Sequence, residues 1–221
     1  MIQWVPYGPH ALLLRFASCV GDDAFRIGRA IIAELEKHPP HGLIEYVPGF
    51  TTVLLKFDPF HTGNISLTGQ HVAAQLADLS PKNFKERSAK EIPVCYDGED
   101  LESLAEKHLL TPKEVVQIHS EPVYKVYLLG FSPGFPYLGE LDSRLHTPRR
   151  ASPRTRVPAG AVAIGGEHTG IYSVASPGGW QIIGHTKVAI FAHELLATDA
   201  DPKNLFFLEP GDRVKFVPVK M

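Results

Sequence analysis

Apolar positions change period several times along the first 80 residues. Ile2–Tyr7 and Ala11–Phe16 are short β-forming runs and predict two strands joined through a Gly8-Pro9 turn. From Asp22 to His38 the spacing becomes helical. Phe25, Ile31 or Ile32, and Leu35 fall on one face, while Asp23, Arg26, Arg29, Glu34 and Glu36 lie elsewhere, and Pro39-Pro40 ends the helix. Leu43–Val47 and Thr51–Phe57 predict two further strands across Pro48-Gly49. Ile65–Leu79 predicts a second helix, with Val72, Leu76 and Leu79 on its apolar face. The order ββαββα implies a small α+β domain over residues 1–80, a sheet covered by helices.

The stretch that follows is polar and mixed in charge, and residues 81–90 read as a linker. Apolar patterning resumes with a strand at Glu91–Tyr96, a turn at Asp97-Gly98 and a helix at Leu101–Leu109. Thr111-Pro112-Lys113-Glu114 is a capping box with proline at the first helical position, so a short helix should run to about His119. A strand is expected at Val123–Leu129. Beyond it come only short apolar runs between turn signals: Ala161–Ile164, Ile171–Val174, Gln181–Gly184, Val188–Phe191, Leu205–Leu208 and Arg213–Phe216. Many short strands with frequent turns predict a mostly-β barrel or sandwich domain over 91–221.

The bulk composition narrows the function class. Hydrophobic content of 44%, charged content of 21% and a net charge of −2 are ordinary for a globular protein. They give no basic surface for nucleic acid. No apolar run reaches the roughly 20 residues that span a bilayer, and MIQWVPYGPH lacks the basic and apolar regions of a signal peptide. A cytoplasmic protein without membrane or nucleic-acid partners is expected. Cys19 and Cys95 stand far apart without metal-ligand spacing and read as small buried hydrophobes; no metal is expected.

Residues 130–184 hold ten of the 19 glycines and six of the 19 prolines. A disordered segment of that composition would lack Phe131, Phe135, Tyr137, Ile164, Tyr172 and Trp180. The region is therefore folded, with many backbone positions of special geometry, and loops of that kind carry sites. Within it, GFSPGFPYL, then PRR..PR..VPAG, IGG..TGIY and SPGGWQ.IG resemble the allophanate hydrolase subunit 1 family, also called the kinase A inhibitor family. The resemblance implies that the second domain is a cyclophilin-like β-barrel. It also implies that the chain is one subunit of a multi-component, ATP-dependent 5-oxoprolinase, converting 5-oxoproline, ATP and water to glutamate. Its partners would be a subunit 2 paralogue and a lactam-utilisation subunit, and magnesium would accompany ATP in the assembled complex. Two alternatives within the same resemblance are a regulator that binds a sensor histidine kinase and a carboxyltransferase component of a urea carboxylase-like system.

The residues themselves fit a subunit better than a self-sufficient enzyme. The sequence contains no GxxxxGK[ST] phosphate loop, no GxGxxG, no HExxH and no GxSxG elbow, so no cofactor-binding residues can be assigned. Arg149, Arg150, Arg154 and Arg156 either grip a carboxylate or phosphate or brace acids such as Glu140 and Asp142; the resemblance favours an anion site at Arg149 and Arg154. His119 either ends its helix or carries a proton, and the resemblance makes it the first choice among the 11 histidines. Gly178-Gly179-Trp180-Gln181 is either a tight hairpin over a core tryptophan or a ligand contact, in which Gln181 would orient substrate. Phe131, Phe135 and Tyr137 either cap the barrel or form a patch for a partner. His185 stands where the family carries arginine, Ala161 where it carries serine, and Ser173 where it carries proline; Ser173 is expected to relax a turn. The candidate site residues are thus His119, Arg149, Arg154 and Gln181.

Overall fold

The computed structural model describes residues 2–80, 87–198 and 201–220. It is a mixed α/β structure whose contacts divide into two compact units, Met1–Lys85 and Glu86–Met221.

The first unit follows the predicted ββαββα order. Strands β1 (Gln3–Pro6), β2 (Ala11–Arg15), β3 (Leu43–Pro48) and β4 (Thr52–Phe57) form an antiparallel sheet in the order β1-β2-β4-β3. Alternation decides its faces. Leu12 and Leu14 are paired with Leu55 and Val53, and all four are fully buried. Helices α1 (Asp22–Lys37) and α2 (Ile65–Gln75) supply Ile31, Leu35, Val72 and, just past the end of α2, Leu76 to the same core. Asn64 caps α2 by accepting hydrogen bonds from the Ser66 and Leu67 amides. The predicted linker lies partly outside the described residues, at 81–86. Its last two positions are not linker but the start of a strand.

That strand, β5 (Ala89–Val94), is the outer strand of a seven-stranded sheet. The others are β6 (Val123–Leu129), β7 (Pro136–Gly139), β9 (Ala161–Gly165), β10 (His168–Ile171), β12 (Gln181–His185) and β13 (Arg213–Pro218), in the order β12-β9-β10-β7-β6-β13-β5. Every pairing is antiparallel except β13 with β5. The start of that parallel pair is tied by buried Asp212, which accepts hydrogen bonds from Arg87 at 2.7 Å and Lys90 at 2.8 Å. The sheet curls until its outer strands meet: Cys95, directly after β5, bridges His185 at the end of β12. Helices α3 (Leu101–Lys107) and α4 (Pro112–Ser120) cover it, and α4 carries the predicted capping box.

Three strands were not foreseen: β7, and the pair β8 (Arg154–Val157) and β11 (Ser176–Gly178), which form a separate two-stranded sheet. All three are short and carry proline or glycine or lie beside them, which masks β-patterning. Conversely, Val188–Phe191 and Leu205–Leu208 are not strands and meet only at the Phe191–Phe206 bridge, and of the strand expected at Ile171–Val174 only Ile171 is one, as the end of β10. The cysteines are not the buried hydrophobes expected either. Cys19 is exposed in the loop between β2 and α1, and Cys95 is half-buried where the outer strands of its sheet meet. Strand β9 explains the second unit's layering. Val162 and Ile164 face the main core, while Ala161 and Ala163 face a smaller cluster of Phe135, Val157, Tyr172, Trp180 and Ile182. Among the described residues no helix is long and apolar enough to cross a membrane.

Candidate functional site

The smaller cluster opens into a cleft of about 280 Å3. Phe135, 1% exposed, forms its floor. Its ring meets those of Phe131, Tyr137, Tyr172 and Trp180 edge-on, with centroids 5.1–5.4 Å apart. One wall is the backbone at Gly178, where a Cβ atom would lie 2.1 Å from the Tyr172 hydroxyl; only glycine lets the two approach. Phe131 also lines the cleft. It is 62% exposed and has a φ of 66°, which turns the ring outward at the tip of the GFSPGFPYL loop. Ser173 fixes that loop by donating to the Pro133 carbonyl at 2.6 Å. Ser173 therefore does not relax a turn, as expected from the sequence. Its hydroxyl supplies a tie that a proline there could not.

Arg149 stands at the mouth, its guanidinium 5.9 Å above the Trp180 ring. It makes no ion pair among the described residues. Burial pushes the phenols of Tyr137 and Tyr172 upward, and the Arg149 charge opposes that shift in both. The cleft is thus an apolar box whose phenols stay protonated, with the Arg149 cation at its rim. That arrangement suits a small, flat, anionic molecule.

The other three sequence candidates have different positions. Arg154 is 15% exposed and turned away into a buried network. Its Nη2 donates to both oxygens of Asp100, at 2.8 and 2.9 Å, and its Nε lies 2.7 Å from Glu99. Arg150 joins Asp100 at 3.1 Å, and the Ile182 amide donates to it at 2.6 Å. Arg154 therefore braces the fold; the acids it meets are Asp100 and Glu99, not Glu140 or Asp142. Gln181 donates from Nε2 to the Pro148 carbonyl at 3.0 Å, and the Arg150 amide donates to the Gly179 carbonyl at 2.7 Å. Together these bonds hold the loop on both sides of Arg149, and Gln181 itself does not line the cleft.

His119 lies away from the cleft. It is completely buried, stacked on Phe216 with centroids 4.7 Å apart, and takes no part in the cleft's lining. The Thr169 hydroxyl donates to the Ala163 carbonyl at 3.0 Å. Its oxygen must therefore accept from His119 Nε2–H at 2.8 Å, which leaves Nδ1 to accept from the Tyr96 hydroxyl at 2.8 Å. Burial lowers its pKa to about 3, so the ring is neutral near pH 7. With both nitrogens committed away from the cleft, His119 locks α4 to the sheet. Asp100 and Tyr172 are the residues that sequence reasoning missed. The only signal for Asp100 was the acidic Asp97-Gly98-Glu99-Asp100 turn, and its arginine partners lie 50 and 54 residues away.

Comparison with known proteins bears on the family and the fold. The family described as "Carboxyltransferase domain, subdomain C and D" matches residues 2–199. The chain belongs to that family. Within it, the B component of the Bacillus subtilis 5-oxoprolinase is 38% identical, over 96% of this chain and 90% of that protein. The crystal structure of TTHA0988 is similar with a TM-score of 0.79 and 37% identity, covering all of this chain; the chain spans 41% of TTHA0988. The urea carboxylase of Kluyveromyces lactis shares the fold at a TM-score of 0.77 and 21% identity, and the chain spans 22% of it.

Proposed function

We propose that this chain is the B component of an ATP-dependent 5-oxoprolinase and that the Arg149 cleft receives the lactam. Kinship to the Bacillus subtilis component over nearly the full length of both chains supports its place in such an enzyme. The structural observation that carries the site is Arg149: a guanidinium without an ion pair among the described residues, above Trp180 at the mouth of an aromatic box. A five-membered lactam bearing a carboxylate has a hydrocarbon CH2–CH2 edge for the rings of Phe135, Tyr172 and Trp180 and an anion for Arg149.

Magnesium-ATP fits this cleft poorly. None of its lining residues is a carboxylate that could hold the metal, and its volume suits a smaller molecule. We assign the nucleotide to the partner subunits, a subunit 2 paralogue and a lactam-utilisation subunit. The outward ring of Phe131 offers an anchor beside the cleft for one of them. The bridge that closes the second unit's sheet supports the finer description of that unit as a cyclophilin-like barrel.

Reconstitution tests the reading. The chain alone should show no 5-oxoproline-dependent ATP hydrolysis, and the three-subunit mixture should. Arg149→Ala should lower kcat/KM for 5-oxoproline at least about tenfold, roughly 1.4 kcal/mol, with an unchanged melting temperature. Arg149→Lys should recover only part of this, because an ammonium lacks the planar fork. Wild-type kinetics in Arg149→Ala, or turnover by the isolated chain, would sink the proposal.

A further inference from the structure

We propose that Cys95, Asp97 and His185 form a binding site for a thiophilic divalent cation of the zinc type, placed where the curled sheet closes. The three residues supply a thiol sulfur, a carboxylate oxygen and an imidazole nitrogen, and one such atom from each lies within 4.8 Å of the other two. His185 Nδ1 is 2.7 Å from Asp97 Oδ1, although the two stand 88 residues apart in the chain. Nothing in the cleft chemistry uses any of them.

The backbone holds this trio in place. Cys95 and His185 exchange both main-chain hydrogen bonds, N–H to O at 2.9 and 2.8 Å, so they are directly opposed residues of an antiparallel bridge. Side chains of such a pair project from the same face with Cβ atoms about 5 Å apart. The seam continues through Gly98 N–H to the Ile183 carbonyl at 3.2 Å and Asp100 N–H to the Ile182 carbonyl at 2.9 Å. It is also too tight for side chains at two points. A Cβ on Gly98 would lie 2.3 Å from the Ile183 carbonyl carbon, and one on Gly184 would lie 2.5 Å from the Cys95 oxygen. The ligand-bearing backbone therefore cannot slide.

The donor set chooses the ion. Thiolate and imidazole favour zinc and its neighbours over magnesium or calcium, which take oxygen alone. Thiolate and carboxylate together would neutralise a doubly charged cation. Around a tetrahedral zinc, at metal–ligand lengths of about 2.0–2.3 Å, donors sit roughly 3.3–3.7 Å apart. The trio reaches that spacing if its widest pair closes by about 1 Å and the His185–Asp97 pair opens by about 0.6 Å, within the rotamer freedom of side chains that are 34% exposed at His185 and 44% at Asp97. The same exposure leaves a fourth position for water. A cation there would clip β5 to β12 and stabilise the closed sheet, since binding to the folded state alone adds to its stability.

Cobalt(II) titrated into the purified full-length chain tests this, because a bound thiolate gives a near-ultraviolet charge-transfer band. Wild type should bind one equivalent with that band. Zinc should displace cobalt and raise the melting temperature, and magnesium should do neither. Cys95→Ser and His185→Arg should each weaken cobalt binding at least about 100-fold and abolish the band, and Asp97→Asn should weaken it at least about tenfold. Cys19→Ser, which alters the exposed cysteine of the first unit, should keep the band. If Cys95→Ser does not fold, His185→Arg carries the test. No band at stoichiometric cobalt, a band that survives His185→Arg, or a band lost in Cys19→Ser would overturn the proposal.

Discussion

Replacing Asp100 with alanine should destabilise the second unit more than any change in the cleft itself. The side chain is 5% exposed and accepts four hydrogen bonds: two from Arg154, one from Arg150 and one from the Ile182 amide. Truncation leaves the guanidinium of Arg154, 15% exposed, with Glu99, whose own side chain is 62% exposed and well solvated. It also strands the buried Ile182 N–H without this acceptor. Removing one partner of a buried pair costs about 3–5 kcal/mol, a figure that includes the orphaned donor. For a chain of this size that lowers the melting temperature by about 10 °C. The chain has two tryptophans, Trp4 and Trp180, so urea unfolding followed by fluorescence in a Trp4→Phe background reads the second unit. Asp100→Asn, which keeps an acceptor but not the charge, should lose less. Asp100→Ala with Arg154→Met should recover part of the loss, because no uncompensated charge is then buried. A loss below about 1 kcal/mol in Asp100→Ala, or a double variant as unstable as the sum of the singles, would refute the view of Arg154 as a brace.

The buried neutral His119 makes a prediction about pH. Its folded pKa is lowered to about 3, below the unfolded value near 6.5. Between those values the unfolded state binds the extra proton, so stability is full above about pH 6.5 and falls as pH drops, on the order of 1 kcal/mol per pH unit. In urea titrations from pH 7 to 4, His119→Gln should flatten the acid limb relative to wild type; parallel curves would remove His119 as its cause. At Gly178 an added methyl meets the Tyr172 hydroxyl at 2.1 Å. Gly178→Ala should therefore displace Tyr172, shift Trp180 emission and cost about 1–3 kcal/mol; unchanged emission and stability would show that the wall yields freely.

Sequence alone determined the elements whose packing is periodic. Strands β2 and β4 and helix α1 each bury one face, so their apolar spacing records their structure. The Thr111–Glu114 capping box is a local device that works wherever the chain is placed. The ordered motifs between Gly130 and Gly184 also announced the family, because special backbone geometry demands glycine and proline at fixed places. The tertiary structure alone decided what the polar residues do. Arg149 and Arg154 occupy equivalent places in a repeated Pro-Arg pattern, yet one stands over Trp180 and the other is consumed by Asp100, a residue 54 positions away. His119 looked like a proton carrier because chemistry can be named from a side chain, whereas burial and the tautomer depend on Thr169, Tyr96 and Phe216 arriving from elsewhere in the chain. The meeting of Cys95 with His185 has the same cause. Sheet closure joins residues at opposite ends of the strand order, and such long-range pairing leaves no periodic trace in the chain.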